Sequence, residues 1–123
     1  MFKLKMRIGG PAGSLYENGV FVLLDCPRSY PRAGPTVTFI TPIIHPNVSN
    51  VPDRTLNQMC INLLDLWNDT NNLSEVVEGI LSVLMYPNYV SAANNDAAAA
   101  YRRDRANYEA RVREHVRQNA MPQ

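Results

Sequence analysis

Within this sequence of 123 residues, Cys60 has the chemistry most suited to group transfer. A thiolate attacks activated acyl carbons well and also leaves well, so one cysteine can accept an acyl group and then surrender it. Burial as a small hydrophobe is the commoner fate of a free cysteine, and by residue type alone it is the better reading of Cys60. The setting of the residue differs from that base case. Cys60 follows polar Asn57 and Gln58 in a stretch with no steady period, whereas Cys26 ends an apolar run and reads as buried. His45 is the first base to consider for Cys60. It stands beside Pro46 and Asn47, turn formers whose company suits a histidine held by backbone groups. A hydrolase built on Cys60 and His45 would also need a third, orienting group, and none is suggested. Asn47, taken alone, reads as a turn asparagine.

These side chains need a scaffold, and the periodicities outline one. Phe2, Leu4, Met6 and Ile8 alternate with Lys3, Lys5 and Arg7, the pattern of a half-buried strand. Gly9-Gly10-Pro11 breaks it, and Glu17-Asn18-Gly19 turns the chain into a second apolar run, Val20 to Leu24. A third short strand fits Thr36 to Thr41. From Pro42 to Trp67 no period holds, and a structureless connection of that length inside a domain is usually functional or mobile. Beyond it, Asn72 three positions before Glu75 matches a capping box, with Ser74 as a rival cap. Val76, Val77, Ile80, Leu81, Val83 and Leu84 then supply a broad helical face that Pro87 ends. A last helix is expected from about residue 96 to 118, with Tyr101, Tyr108, Val112 and Val116 at helical spacings. Strands first and helices after predict an α+β fold, an antiparallel β-meander packed against C-terminal helices, in one domain spanning 1–123.

Composition narrows the function classes. A net charge of +1 favours no particular class of partner, and the six arginines from Arg102 to Arg117 are interleaved with Asp104, Glu109 and Glu114. Mixed signs describe a solvated helix face, not a nucleic-acid patch. No apolar run approaches the roughly 20 residues that span a bilayer. Two cysteines and two histidines lack metal-ligand spacing and form no disulfide framework, so an intracellular setting, cytoplasmic or nuclear, is expected.

Taken in order, Tyr30-Pro31, Pro35-x-Val37-x-Phe39, His45-Pro46-Asn47, Cys60, Trp67, Pro87-Asn88 and Asn95-Asp96-Ala97-Ala98 form a recognisable pattern. It resembles the catalytic domain of ubiquitin-conjugating enzymes over nearly the whole chain. The resemblance implies that Cys60 carries ubiquitin, or a ubiquitin-like protein, as a thioester. The modifier would be received from an activating enzyme and passed to a lysine, a ubiquitin ligase or a partner subunit, with no cofactor. It gives Asn47 the role of oxyanion donor or loop organiser, and His45 that of structural support. Ser91 falls where the family carries an aspartate or serine at the mouth of the site. Asn88, Tyr89 and Asn95 would line the same entrance, and Trp67 and Arg32 belong to the loops that the family uses towards ligases.

The chain also departs from that pattern. The family's usual first helix is missing, since the first strand pattern starts at Phe2. Thirteen positions separate Asn47 from Cys60, several more than usual, and Trp67 follows Cys60 one position early. Asn68-Asp69-Thr70 replaces the Ser-Pro-Ala of ligase-binding members. These features allow an alternative, a catalytically silent variant acting as a binding module or partner subunit.

Overall fold

Burial alternates along the second strand although its sequence is a nearly continuous apolar run. In the computed structural model, which describes residues 2–10, 13–17 and 19–119, β1 (Phe2–Ile8), β2 (Val20–Cys26), β3 (Thr36–Phe39) and β4 (Gln58–Met59) form one antiparallel sheet in the order β1-β2-β3-β4. Val20, Val22, Leu24 and Cys26 of β2 all face the core, and the residues between them are half-buried. Opposite them, in register, lie Ile8, Met6, Leu4 and Phe2. The half-buried reading of β1 holds only at its end: Ile8 is enclosed, but Leu4 is 38% and Phe2 47% exposed. The core-side face of the sheet is therefore open beside the first half of β1.

The expected third strand is shorter than its pattern, ending at Phe39 and not at Thr41. The N–H groups of Ile40 and Thr41 both converge on the Phe21 carbonyl, and the Thr41 hydroxyl oxygen accepts from the Phe21 N–H at 3.0 Å. Pro42, without a donor of its own, could not have continued the ladder. The long irregular segment is less irregular than its composition. It holds β4 and one turn of helix, α1 (Asn62–Asp65), both too short to leave a period in the sequence.

Helix α2 (Leu73–Met85) begins where the capping box predicts. The Asn72 side chain accepts from Glu75 N–H at 2.9 Å, and the Glu75 carboxylate accepts from Asn72 N–H at 2.8 Å. Val76, Ile80 and Leu84 are its most buried residues and pack into the cluster that also holds Val22, Val37 and Phe39. Full burial of each aliphatic side chain is worth about 1.5–3 kcal/mol. An Ile80→Ala change would leave a cavity costing about 2–5 kcal/mol.

The single last helix of the sequence reading is two helices, α3 (Asn95–Arg103) and α4 (Arg105–Asn119). Asp104 divides them. Its backbone is extended, and its carboxylate accepts from Asn107 N–H at 3.0 Å, the geometry of an N-cap. Aspartate competes with helix continuation through this local bond, which a heptad-like apolar spacing does not reveal. Tyr108, Val112 and Val116 are buried as expected, and Tyr101 is half-buried against Tyr108. Of the turn before β2, Gly19 adopts φ 88°, the left-handed region glycine tolerates, while Asn18 lies outside the described residues, as does Pro11 of the first break.

Candidate active site

The site is assembled by a loop that closes on itself. Val48 bridges to Met59, Ser49 N–H donates to the Gln58 carbonyl at 3.0 Å, and Asn57 N–H donates to the Ser49 carbonyl at 2.8 Å. Asn57 takes φ 63°, a left-handed conformation that asparagine adopts more readily than most residues. Residues 50–56 are thus an exposed excursion whose ends are pinned together. As a result Cys60 N–H reaches the Asn47 carbonyl at 3.0 Å despite the long interval between them.

Cys60 is exposed, while Cys26 is buried, as their neighbouring residues suggest. The thiol lies on a ridge between two clefts of about 300 and 290 Å³. One is bordered by Asn47, Ser82, Asn88 and Ser91, and the other by Gly34, Pro35, Thr36 and Gln58. Partial burial raises the pKa of the Cys60 thiol, and the nearby Asp65 carboxylate adds to the rise.

Asn47 spends its side chain on the neighbouring segment. Its Nδ2 donates to the Asn88 carbonyl at 2.9 Å, and its Oδ1 accepts from Asn88 N–H at 2.8 Å. A longer contact of 3.5 Å reaches the Ser91 carbonyl. The Asn88 side chain in turn accepts from the N–H groups of Val90 and Ser91. Residues 88–91 therefore form a small arch clipped to Asn47 at the rim of the cleft.

His45 lies beneath this arrangement, fully buried. Its Nδ1 accepts from Asn47 N–H at 3.0 Å and its Nε2 donates to the Val83 carbonyl at 2.9 Å. The two partners assign the proton to Nε2. Burial pulls the imidazole pKa down to about 4, against smaller opposing effects of the Val83 and Leu84 backbone, so the ring is neutral near neutral pH. Closed off from both clefts, it has no path to a substrate proton.

The family model described as ubiquitin-conjugating enzyme matches residues 1–116. The chain belongs to this family. Similar proteins include a probable ubiquitin-conjugating enzyme of Acanthamoeba polyphaga mimivirus, 36% identical over 95% of this chain and 73% of its own length. A ubiquitin-conjugating enzyme of Arabidopsis thaliana is 38% identical over 95% of this chain and 63% of its own length. Another, from Debaryomyces hansenii, is 37% identical over 87% of this chain and 62% of its own length. The chain thus spans a little under two thirds of the plant and yeast relatives.

Within the conjugating-enzyme framework the remaining candidates fall into distinct places. Ser91 is exposed on the cleft rim, beside Asn88. Tyr89 stacks instead on Tyr101, with ring centroids 5.1 Å apart, and is absent from the cleft lining. Asn95 is exposed at the first position of α3 and also stands off the cleft. Its neighbour Asn94 is the buried one. Asn94 Oδ1 accepts from Ala97 N–H at 3.0 Å, and the N–H groups of Ala93 and Asn94 both donate to the Pro46 carbonyl at 2.9 Å. Trp67 donates from Nε1 to the Pro31 carbonyl at 2.8 Å and lies so close over Gly34 that a Cβ there would meet its ring at 2.7 Å. Arg32 is exposed on that same turn, its N–H donating to the Ser29 carbonyl at 2.8 Å. Trp67 and Arg32 thus shape a surface next to the second cleft.

Asp65 and Asn94 were not among the residues singled out from sequence. Asp65 borders both clefts with Cys60, but Cys60 lies outside α1 and no helical spacing in the sequence links the two. Among the described residues, no group of three or more His, Cys, Asp and Glu is placed to hold a metal ion, and no helix is long and apolar enough to cross a membrane.

Proposed function

We propose that this conjugating-enzyme domain accepts ubiquitin or a ubiquitin-like protein as a thioester on Cys60 and transfers it to a lysine or a ligase. The observation that carries the proposal is an exposed thiol fastened through its own backbone to Asn47, between two open clefts. The incoming acyl group already carries its activation as a thioester, and the chain's task is to hold geometry. Thiolate Sγ attacks the carbonyl carbon of the activating enzyme's thioester, a new C–S bond forms, and the old thiolate departs.

Aminolysis then raises a tetrahedral oxyanion at Cys60. With both ends of its amide bound to Asn88, Asn47 acts as the organiser of the arch, not as a free oxyanion donor. His45 supports Asn47 from below, and Ser91 offers a hydroxyl at the rim. The turn bearing Arg32 and the Trp67 ring form a surface for a ligase or partner subunit. We place the activity in an intracellular compartment, where a catalytic thiol stays reduced.

The test is a charging reaction with an activating enzyme, ATP and a panel of ubiquitin-like modifiers. A reductant-sensitive adduct is expected on the wild-type chain, and a reductant-resistant ester on Cys60→Ser. Absence of an adduct with every modifier would defeat the proposal.

A further inference from the structure

Among the described residues, neither cleft beside Cys60 has a basic side chain in its lining, and each contains a single carboxylate. In both it is the same one, Asp65. It closes α1, shares the ridge between the clefts with Cys60 and Ile61, and is exposed. Among the described residues it takes part in none of the ion pairs, which join Lys3 to Asp25, Arg105 to Glu109 and Arg117 to Glu114. Its carboxylate is near enough to the thiol to raise the thiol pKa. A negative charge beside a nucleophilic cysteine slows thiolate formation, so its placement serves the charging step poorly.

The second half-reaction has the opposite need. An acceptor lysine reaches the thioester as an ammonium ion, since its unperturbed pKa is about 10.4. Ser91, at the other rim, offers only a hydroxyl. We propose that Asp65 is the substrate-amine site of this enzyme: its carboxylate receives the ammonium of the acceptor lysine and holds the nitrogen against the Cys60 thioester. The proposal rests on the carrier role of Cys60 given above. In the transfer, the ammonium first loses one proton to water. The nitrogen lone pair then forms the C–N bond, the C–S bond breaks, and its electron pair stays on Sγ. The second nitrogen proton ends on that sulfur, directly or through water, so an amide and a free thiol are produced without another reactant. A raised thiol pKa favours this last protonation.

Preloaded wild-type protein, Asp65→Asn and Asp65→Glu would be discharged in single turnover with free lysine and, separately, with hydroxylamine, which is neutral at pH 7.5. Asp65→Asn should load at least as fast as the wild type, since the charge that opposes thiolate formation is gone. Its discharge to lysine should fall roughly tenfold relative to its discharge to hydroxylamine, the scale of one charge contact at a partly screened surface. Asp65→Glu should recover most of the lysine rate, and about 0.5 M salt should shrink the difference between the wild type and Asp65→Asn. Equal losses with both nucleophiles would overturn the proposal in favour of a contact to the modifier's tail or to the loop itself. An unchanged lysine rate would also overturn it. Failure of the carrier role is visible earlier and separately, as a wild-type chain that never loads.

Discussion

The N–H of Cys60 and the carbonyl of Asn47 are 3.0 Å apart in hydrogen-bond contact, although Cys60 follows Asn47 by thirteen positions. The intervening chain leaves the site at Ser49 and returns at Asn57, where paired backbone bonds seal it. The longer loop is therefore external to the contact between Cys60 and Asn47. Its body carries exposed Val51 and Leu56 and makes its own internal bonds between Asp53 and Thr55.

Replacing residues 50–56 by a shorter turn should leave thioester formation within about twofold of wild type. Loop-closure entropy changes slowly with length, so stability should shift by about 1 kcal/mol or less. Urea unfolding and a charging time course check both. Loss of charging with an intact fold would show that the excursion contributes contacts of its own.

Asn47→Ala removes both bonds to Asn88 and strands a backbone donor and acceptor at the rim. A destabilisation of about 1–3 kcal/mol is expected from the unsatisfied groups. Charging should persist while discharge to lysine falls at least about tenfold, as for other losses of active-site preorganisation. Hydrogen exchange should accelerate at residues 88–91 in particular. Unaltered exchange there would separate Asn47 from the arch.

His45 gives the fold a pH dependence of definite sign. Its pKa is about 4 in the folded chain and would be about 6.5 on unfolding, so between these values the unfolded state binds the extra proton. The stability linked to a neutral His45 is complete above about pH 6.5 and is lost as pH falls towards 4, amounting to about 2 kcal/mol by pH 5. Denaturant titrations at pH 7 and pH 5 should show this loss in the wild type and a smaller one in His45→Gln. Equal losses in both would assign the effect to other groups.

Thiol reactivity should divide cleanly between the two cysteines. Iodoacetamide should label Cys60 in the native protein and Cys26 only after unfolding. Because burial and Asp65 raise the Cys60 pKa, labelling should accelerate about tenfold per pH unit through neutrality and keep rising beyond the ordinary thiol range near 8.5. A plateau below that value would contradict the raised pKa.

Asp104→Ala should cost about 1 kcal/mol, as expected for loss of a helix cap. Thermal unfolding checks the loss, with Asp104→Ser or Asp104→Asn expected to restore most of it. An unchanged melting temperature would mean that the α3–α4 corner is held by Tyr108 and its neighbours alone.

Much of the scaffold was legible because its signals are periodic or local. β1 alternates apolar and basic residues over its whole length, and Asn72 with Glu75 is a two-residue signature that needs no tertiary context. The family pattern led to Cys60, Asn47 and His45 through residue type and order. What sequence could not convey is which atom meets which. Nothing in His45-Pro46-Asn47 alone shows that the ring bonds Asn47 N–H on one side and Val83 on the other. β4 and α1 escaped notice because two and four residues are too few to establish a period. In sequence Asp104 is one charge on a mixed helix face, since a cap inside an apolar repeat is masked by the repeat. Asn94 and Asn95 are alike in sequence, and only the three-dimensional turn decides that Asn94 faces inward.

One carbonyl, that of Pro46, receives the N–H groups of both Ala93 and Asn94. The next carbonyl along, that of Asn47, receives Cys60. The start of the C-terminal helical pair and the sulfur-bearing residue are thus riveted to adjacent peptide units. A strain applied to α3 has a short strip of backbone to cross before it reaches the thiol.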